Sequence, residues 1–325
     1  MRTLCSRATL LHEVTSSGSH GSMEDDLGSR RRIAGLLAAV VALHPAQGAS
    51  GQSSADGVFI DGHVHLNDPA AWVRLMDAAS IERAIVFRGR NIDNAGLIEA
   101  ARRWPDRVIP FLSVSPEHRE FRGAWAAEDD GLDAVVDSLL SSGGFRGIGE
   151  ISVSHFAGAG FPEADFDPDG RVMRGILDAA RRHAVPVTVH VEVTRLREFE
   201  AVLERYRDVT VIWAHGGYTP LVLAERLLGA HPNLVYELSA RTWARHPRSP
   251  DYTILRDDHD VWPEWLALVR RMPARFVMGT DASLRSIEGD QEKIRSVTNF
   301  LNQLPADVRR KVATENLKRI LRLGP

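Results

Sequence analysis

Two histidines one residue apart, in Asp61-Gly62-His63-Val64-His65, close a short apolar run. Alternation along a strand points His63 and His65 to the same side, so both imidazoles can reach one ion. Other titratable groups close other apolar runs: Glu150 in Gly147-Ile148-Gly149-Glu150, His190 after Pro186-Val187-Thr188-Val189, His215 after Val211-Ile212-Trp213-Ala214, and Asp281 in Met278-Gly279-Thr280-Asp281. A single histidine or carboxylate at a strand end is ordinarily a hydrogen-bonded structural residue. Four histidines and an aspartate converging on one rim are hard to explain as packing, because each titratable group buried without a compensating charge costs several kcal/mol, of order ~3–5. Neutral imidazoles and carboxylates are natural ligands of a borderline divalent metal such as zinc, and the expected cofactor is Zn2+, with Mn2+ or another divalent ion as the alternative.

The elements that must deliver these groups are strands. From Val58 onward, β-rich apolar runs at Val58–Asp61, Ala84–Phe87, Val108–Val114, Phe145–Ile151, Pro186–Val191, Val209–Ala214, Leu234–Leu238 and Phe276–Gly279 alternate with helical-period segments such as Val172–His183, Leu196–Tyr206, Leu221–Ala230 and Glu264–Arg271. Near-continuous apolar strands imply burial on both faces, as in a parallel sheet covered by helices. Eight of them in this length predict an α/β fold, a single-domain (β/α)8 barrel whose site lies at the C-terminal ends of the strands. No Gly-x-Gly-x-x-Gly follows the first strand, so a dinucleotide site has no support. The segment Ala306–Leu323 reads as a helix packed on the barrel exterior.

Composition agrees with a globular domain: 44% hydrophobic and 26% charged residues in a chain of 325. The net charge of −3 offers no footprint for nucleic acid, and no such partner is expected. Cys5 is the single cysteine, which excludes a disulfide framework or cysteine catalysis in the body of the protein. Residues 1–48 read as an export leader. Arg30-Arg31-Arg32 precede the apolar run Ile33–Leu43 and the small-residue site Ala46-Gln47-Gly48. Ser29-Arg30-Arg31-Arg32-Ile33 is similar to a twin-arginine signal, and Met23 offers an alternative start. The expected location is periplasmic or extracellular, or cytoplasmic if the leader is not used. The apolar run is too short for a stable span, and residues 49–325 form the functional domain.

The constellation resembles the amidohydrolase superfamily, most closely its amidohydrolase-related branch. The similarity runs from Phe59-Ile60-Asp61-Gly62-His63-Val64-His65, through Pro186–His190, Val211–Gly217 and Phe276–Asp281, to Glu315–Leu321. It implies a metal-dependent barrel that mostly hydrolyses amides or esters, with a minority of non-oxidative decarboxylases. It also implies His63, His65, His190 and Asp281 as ligands, with His215 as a further ligand or a catalytic residue. Many binuclear relatives bridge their metals with a carboxylated lysine, but the first lysine here is Lys293, and Glu150 stands in the matching place. In a binuclear arrangement Glu150 bridges, with His63, His65 and Asp281 on one ion and His190 and His215 on the other. In a mononuclear one, His63, His65, His190 and Asp281 bind a single ion and His215 is free to act.

The resemblance points to metal-assisted hydrolysis of an ester, lactone, amide or related bond in a small molecule, with Asp281 moving the proton. A decarboxylase is the nearest alternative; a deoxyribonuclease and a non-catalytic exported binding protein stand further off. Arg88 and Arg241 follow strands and could present a fork to a substrate anion, and Tyr218, Glu192 and Trp243 lie near the same rim. His183 and His231 fall at helix ends. His118, His246 and His259 are expected to be solvated in loops, and His155 could reach the site from one. A homo-oligomer is left open.

Overall fold

The structure is a computed structural model that describes residues 58–129, 131–158 and 163–324. The expected leader lies outside the described residues. Among those described, no helix is long and apolar enough to cross a membrane.

Each apolar run becomes a strand: β1 (Phe59–Leu66), β2 (Ile81–Arg88), β3 (Val108–Leu112), β4 (Gly147–His155), β6 (Val187–Val191), β7 (Val211–Trp213), β8 (Leu234–Glu237) and β9 (Phe276–Val277). A two-residue strand, β5 (Ala164–Asp165), pairs antiparallel with β4 outside this series. The eight neighbours pair in parallel in the order β1-β2-β3-β4-β6-β7-β8-β9. The ring closes where the first strand meets the last. Gly62 N–H donates to the Met278 carbonyl at 2.8 Å, His65 N–H to the Ala282 carbonyl at 2.8 Å, and Asp281 N–H to the His63 carbonyl at 2.9 Å. The fully buried Asp61 carboxylate clasps the same seam, accepting from Thr280 Oγ1 at 2.6 Å, Thr280 N at 2.9 Å and His63 N at 3.1 Å. The fold is therefore a (β/α)8 barrel.

Helices cover the outside because their apolar residues recur at helical spacing. In α5 (Arg171–His183), Val172, Met173, Ile176, Leu177, Ala179 and Ala180 are all buried against the sheet. Several helices begin at side-chain caps: Asp68 accepts from Ala71 N–H before α1 (Pro69–Ala78), and Asp93 accepts from Gly96 N–H before α2 (Asn94–Arg103).

Two departures from the sequence reading matter. First, β1 and β4 run beyond their apolar stretches to Leu66 and His155, so His63 and His65 lie within a strand rather than beyond it, while Glu150 lies inside its strand as expected. The polar side chains are accommodated because they point into the barrel mouth. Second, the C-terminal segment is not an exterior helix. It passes through a π-helical turn at Lys311–Glu315 into α11 (Asn316–Leu321), and Leu317 and Leu321 pack with the inward side chains Ile60, Ile85, Ile109, Ile212, Val235 and Val277. Asn316 Nδ2 fixes this position by donating to the Pro273 and Phe276 carbonyls at 2.7 and 2.8 Å. The apolar interior rises from this plug through Phe111 and Phe87 to the His63 ring, which Phe87 meets edge-on at 4.9 Å.

Candidate metal centre

Above Phe87 the barrel interior changes from hydrocarbon to imidazole and carboxylate. His63 Nε2 and His65 Nε2 lie 3.4 Å apart, and each is 3.2 Å from the same oxygen, Glu150 Oε2. Asp281 Oδ1 completes this group at 3.5 Å from His65 Nε2 and 3.8 Å from His63 Nε2. The other Glu150 oxygen faces a second group, with His190 Nδ1 at 3.1 Å and His215 Nε2 at 3.6 Å. All six residues expected from the sequence are thus gathered around one carboxylate. Most are buried; His65 and Asp281, with side chains 24% and 22% exposed, mark the open side.

The outward nitrogen of every imidazole has a fixed partner. His63 Nδ1 meets Glu237 Oε2 at 3.2 Å, and His65 Nδ1 meets the Arg88 carbonyl at 3.2 Å. His190 Nε2 meets Glu192 Oε1 at 3.2 Å, and His215 Nδ1 lies 3.1 Å from the Ser239 carbonyl. When those nitrogens carry the hydrogen and donate, the inward nitrogens are left with lone pairs aimed at Glu150, the arrangement that presets an imidazole as a ligand. The distances fit such a role. Bonds of about 2.0–2.1 Å at a tetrahedral angle place two ligand nitrogens about 3.3 Å apart. The sets His63–His65–Glu150, open on the His65 side, and Glu150–His190–His215, buried throughout, could each hold a metal ion.

Without a cation these groups share protons. Burial would raise the Glu150 carboxyl, but the charge of His63 and hydrogen bonds from His190, His63 and His65 hold it well below the usual carboxylate range. Burial opposes charge on His63 too, yet Glu150 and Glu237 lift it well above the ordinary imidazole value. His190 is lifted to about 9, its burial outweighed by Glu150 and Glu192. His215 goes the other way, to about 4, through burial and repulsion from His63. Burial would also raise Asp281, but the charges of His63 and Lys293 hold it low.

Backbone geometry shows how tightly the turn after β7, the sixth strand of the barrel, is built. His215, Gly216, Gly217 and Tyr218 all adopt left-handed φ of 52–55°. A Cβ on Gly216 would sit 1.7 Å from the Tyr236 ring, and one on Gly217 would sit 2.1 Å from the Val191 carbonyl. Only glycine fits at these two positions, and the turn carries His215 inward with Tyr218 stacked on its ring at 5.1 Å.

Three features escaped the sequence reading. Glu237 is fully buried at the end of β8 and accepts from His63 Nδ1, His215 N, Ser239 N and Ser239 Oγ; a glutamate inside the apolar run Leu234–Leu238 was its signal. His246 is buried rather than solvated, its Nε2 3.2 Å from the Tyr218 hydroxyl, because the residues after β8 fold back over the mouth. Arg248 reaches the same place. The two arginines singled out from sequence are engaged elsewhere: Arg88 pairs with Glu120, and Arg241 is buried, donating to the Thr219 carbonyl at 3.0 Å with its guanidinium 5.1 Å from the Trp265 ring. Tyr218 does lie at the mouth. His155 approaches His190 at 5.6 Å between rings, and its Nδ1 lies 3.2 Å from the Phe156 carbonyl.

A parallel barrel with imidazoles grouped around one buried carboxylate at its C-terminal mouth defines a class of metal-site barrels. The family model described as Amidohydrolase matches residues 60–323, and the chain belongs to that family. Among solved structures it resembles an uncharacterised TIM-barrel protein from Bordetella bronchiseptica (16% identity, 82% of this chain and 98% of the other, TM-score 0.55). It also resembles a manganese-containing 5-carboxyvanillate decarboxylase from Novosphingobium aromaticivorans (12%, 82% and 96%, 0.51). A third is a protein designated a probable 2-pyrone-4,6-dicarboxylic acid hydrolase from Acinetobacter baumannii (10%, 82% and 99%, 0.51). No curated protein sequence matches the chain.

Proposed function

We propose that this protein is a metal-dependent hydrolase that cleaves an ester, lactone, amide or related bond in a small molecule by attack of water. One observation carries the reading: four imidazoles, each with its outward nitrogen held by a carboxylate or carbonyl, turn their inward nitrogens to the two oxygens of Glu150. His63, His65, Glu150 and Asp281 would hold one ion, and Glu150, His190 and His215 a second. A divalent cation there supplies Lewis acidity toward a carbonyl and an attacking water. Asp281 is the most exposed carboxylate of the group and is kept ionised, so it is placed to take the proton from that water and return it to the leaving group. His215 stays neutral and is pinned by Ser239 and by its stacking on Tyr218. The Phe87–Phe111 floor beneath excludes water from below.

A metal-dependent non-oxidative decarboxylase is the second reading, favoured by the similarity of the fold to a 5-carboxyvanillate decarboxylase. The same ligand set could seat a substrate carboxylate. The discriminating experiment is a panel of chromogenic esters, lactones and phosphotriesters, run beside aromatic carboxylic acids, with zinc or manganese restored after chelation. Hydrolysis that disappears on chelation and returns with metal supports the first reading. Carbon dioxide release from the acids, with the esters untouched, replaces it by the second.

A further inference from the structure

The connection between β8 and α8 (Pro263–Arg271), residues 238–262, folds across the barrel mouth, and its seat there is made of specific contacts. Arg248 Nη1 donates to the Phe156 carbonyl at 2.9 Å and to Glu192 Oε1 at 3.0 Å. The guanidinium lies 5.1 Å from the Tyr218 ring and 5.6 Å from the Tyr252 ring, and those two rings stack at 4.2 Å. His246 Nε2 meets the Tyr218 hydroxyl from the same connection.

The acceptor is the informative partner. Glu192 is 1% exposed, and the oxygen that takes Arg248 is also the one that meets His190 Nε2, at 3.2 Å. Its other oxygen accepts from Phe156 N–H at 3.2 Å. One buried carboxylate therefore joins a candidate metal ligand to an arginine carried by the covering segment. A buried carboxylate that loses its cation is left with an uncompensated charge and tends to turn toward water. If Glu192 turned, no other hydrogen-bond partner among the described residues would hold His190 Nε2, and Nδ1 would no longer be kept on Glu150.

We infer that Arg248 is a positioning residue that makes metal retention at His190 depend on the seating of residues 238–262. With the segment seated, Arg248 fixes Glu192, Glu192 fixes the His190 ring, and His190 Nδ1 faces Glu150. With the segment lifted, the arginine leaves, Glu192 is released and the ion at His190 is held less tightly. This rests on the metal-site reading proposed above.

The test is zinc release from the zinc-loaded full chain to a chromophoric chelator, with bound zinc counted by elemental analysis. His190→Ala deletes the ligand itself and so identifies the zinc in question. Arg248→Met is expected to weaken that zinc by about 10-fold or more, the scale on which outer partners of metal ligands act. Arg248→Lys keeps the charge but lacks the planar fork, and is expected to fall between Met and wild type. Gly158→Ala leaves every partner in place but sets a Cβ 2.8 Å from Cδ and 2.9 Å from Cγ of Arg248; it is expected to weaken the same zinc by a smaller factor, and it carries the test if Arg248→Met does not fold. Zinc release from folded Arg248→Met, or from Gly158→Ala in its place, at the wild-type rate would overturn the inference while leaving the metal site standing. A wild-type chain that takes up no zinc would overturn the metal-site reading and the inference with it.

Discussion

The two ends of the barrel interior are built within one ring of strands on opposite physical terms. At the lower end, Ile60, Ile85, Ile109, Ile212, Val235 and Val277 close on Leu317 and Leu321, with no polar side chain among them. At the upper end, His63, Glu150, His190, His215 and Glu237 are as deeply buried, and each needs named partners at hydrogen-bond distance. Burial at the lower end stabilises without direction. Burial at the upper end costs free energy unless every lone pair and hydrogen is met. Substitutions below should therefore lower stability and spare chemistry, whereas those above should cost chemistry first.

Asp281→Asn tests the upper end most severely. It keeps the shape and removes the proton acceptor, so turnover is expected to fall by about 10²–10⁴-fold in steady-state assays while the thermal melt barely moves. Near-normal turnover would remove Asp281 from the proton path. Leu317→Ala is the mirror experiment. A truncated core leucine costs about 2–5 kcal/mol, so denaturant unfolding should shift strongly while zinc per chain and turnover of the folded fraction stay at wild-type levels. Loss of zinc from that variant would break the division between the ends.

Glu237→Gln sits between these extremes. It removes the carboxylate behind His63 and is expected to weaken zinc binding by about 10–100-fold with little change in the unfolding midpoint. Chelator competition measures it. The smallest effect concerns pH. His190 titrates near 9 in the metal-free chain against an ordinary 6.5, and His63 and His65 are also raised. A raised folded-state pKa contributes stability that is complete below 6.5 and is lost as pH climbs through about 9. Zinc must displace those same protons, so its affinity should rise over that window. The metal-free melting temperature and the zinc affinity should therefore run in opposite directions between pH 6.5 and 9; parallel trends would place the displaced protons elsewhere.

The contrast also explains what the sequence disclosed. Parallel strands buried on both faces read as unbroken apolar runs, so all eight were visible, and the family resemblance carried by His63-Val64-His65, His190, His215 and Asp281 marked the mouth. What stayed hidden depends on partners distant in the chain. Glu237 orients His63 across 174 positions, and Arg248 meets Glu192 across 56. Arg88 looked free to meet an anion until Glu120 was seen beside it. Leu317 and Leu321 share a helix stripe whichever surface they cover, and only the Asn316 contacts to Pro273 and Phe276 turn that stripe into the barrel.

The seam that Asp61 clasps with Thr280 has a consequence for biosynthesis. His63 and His65 emerge early from the ribosome and Asp281 late, and the Asp281 amide is tied to the His63 carbonyl in the same backbone ladder. A nascent chain lacking its last strand cannot present the donor group around His63 and His65 in full. If those groups hold an ion as proposed, a chain stopped short of Asp281 would lack one of its donors and the backbone ladder that fixes the strand carrying His63 and His65.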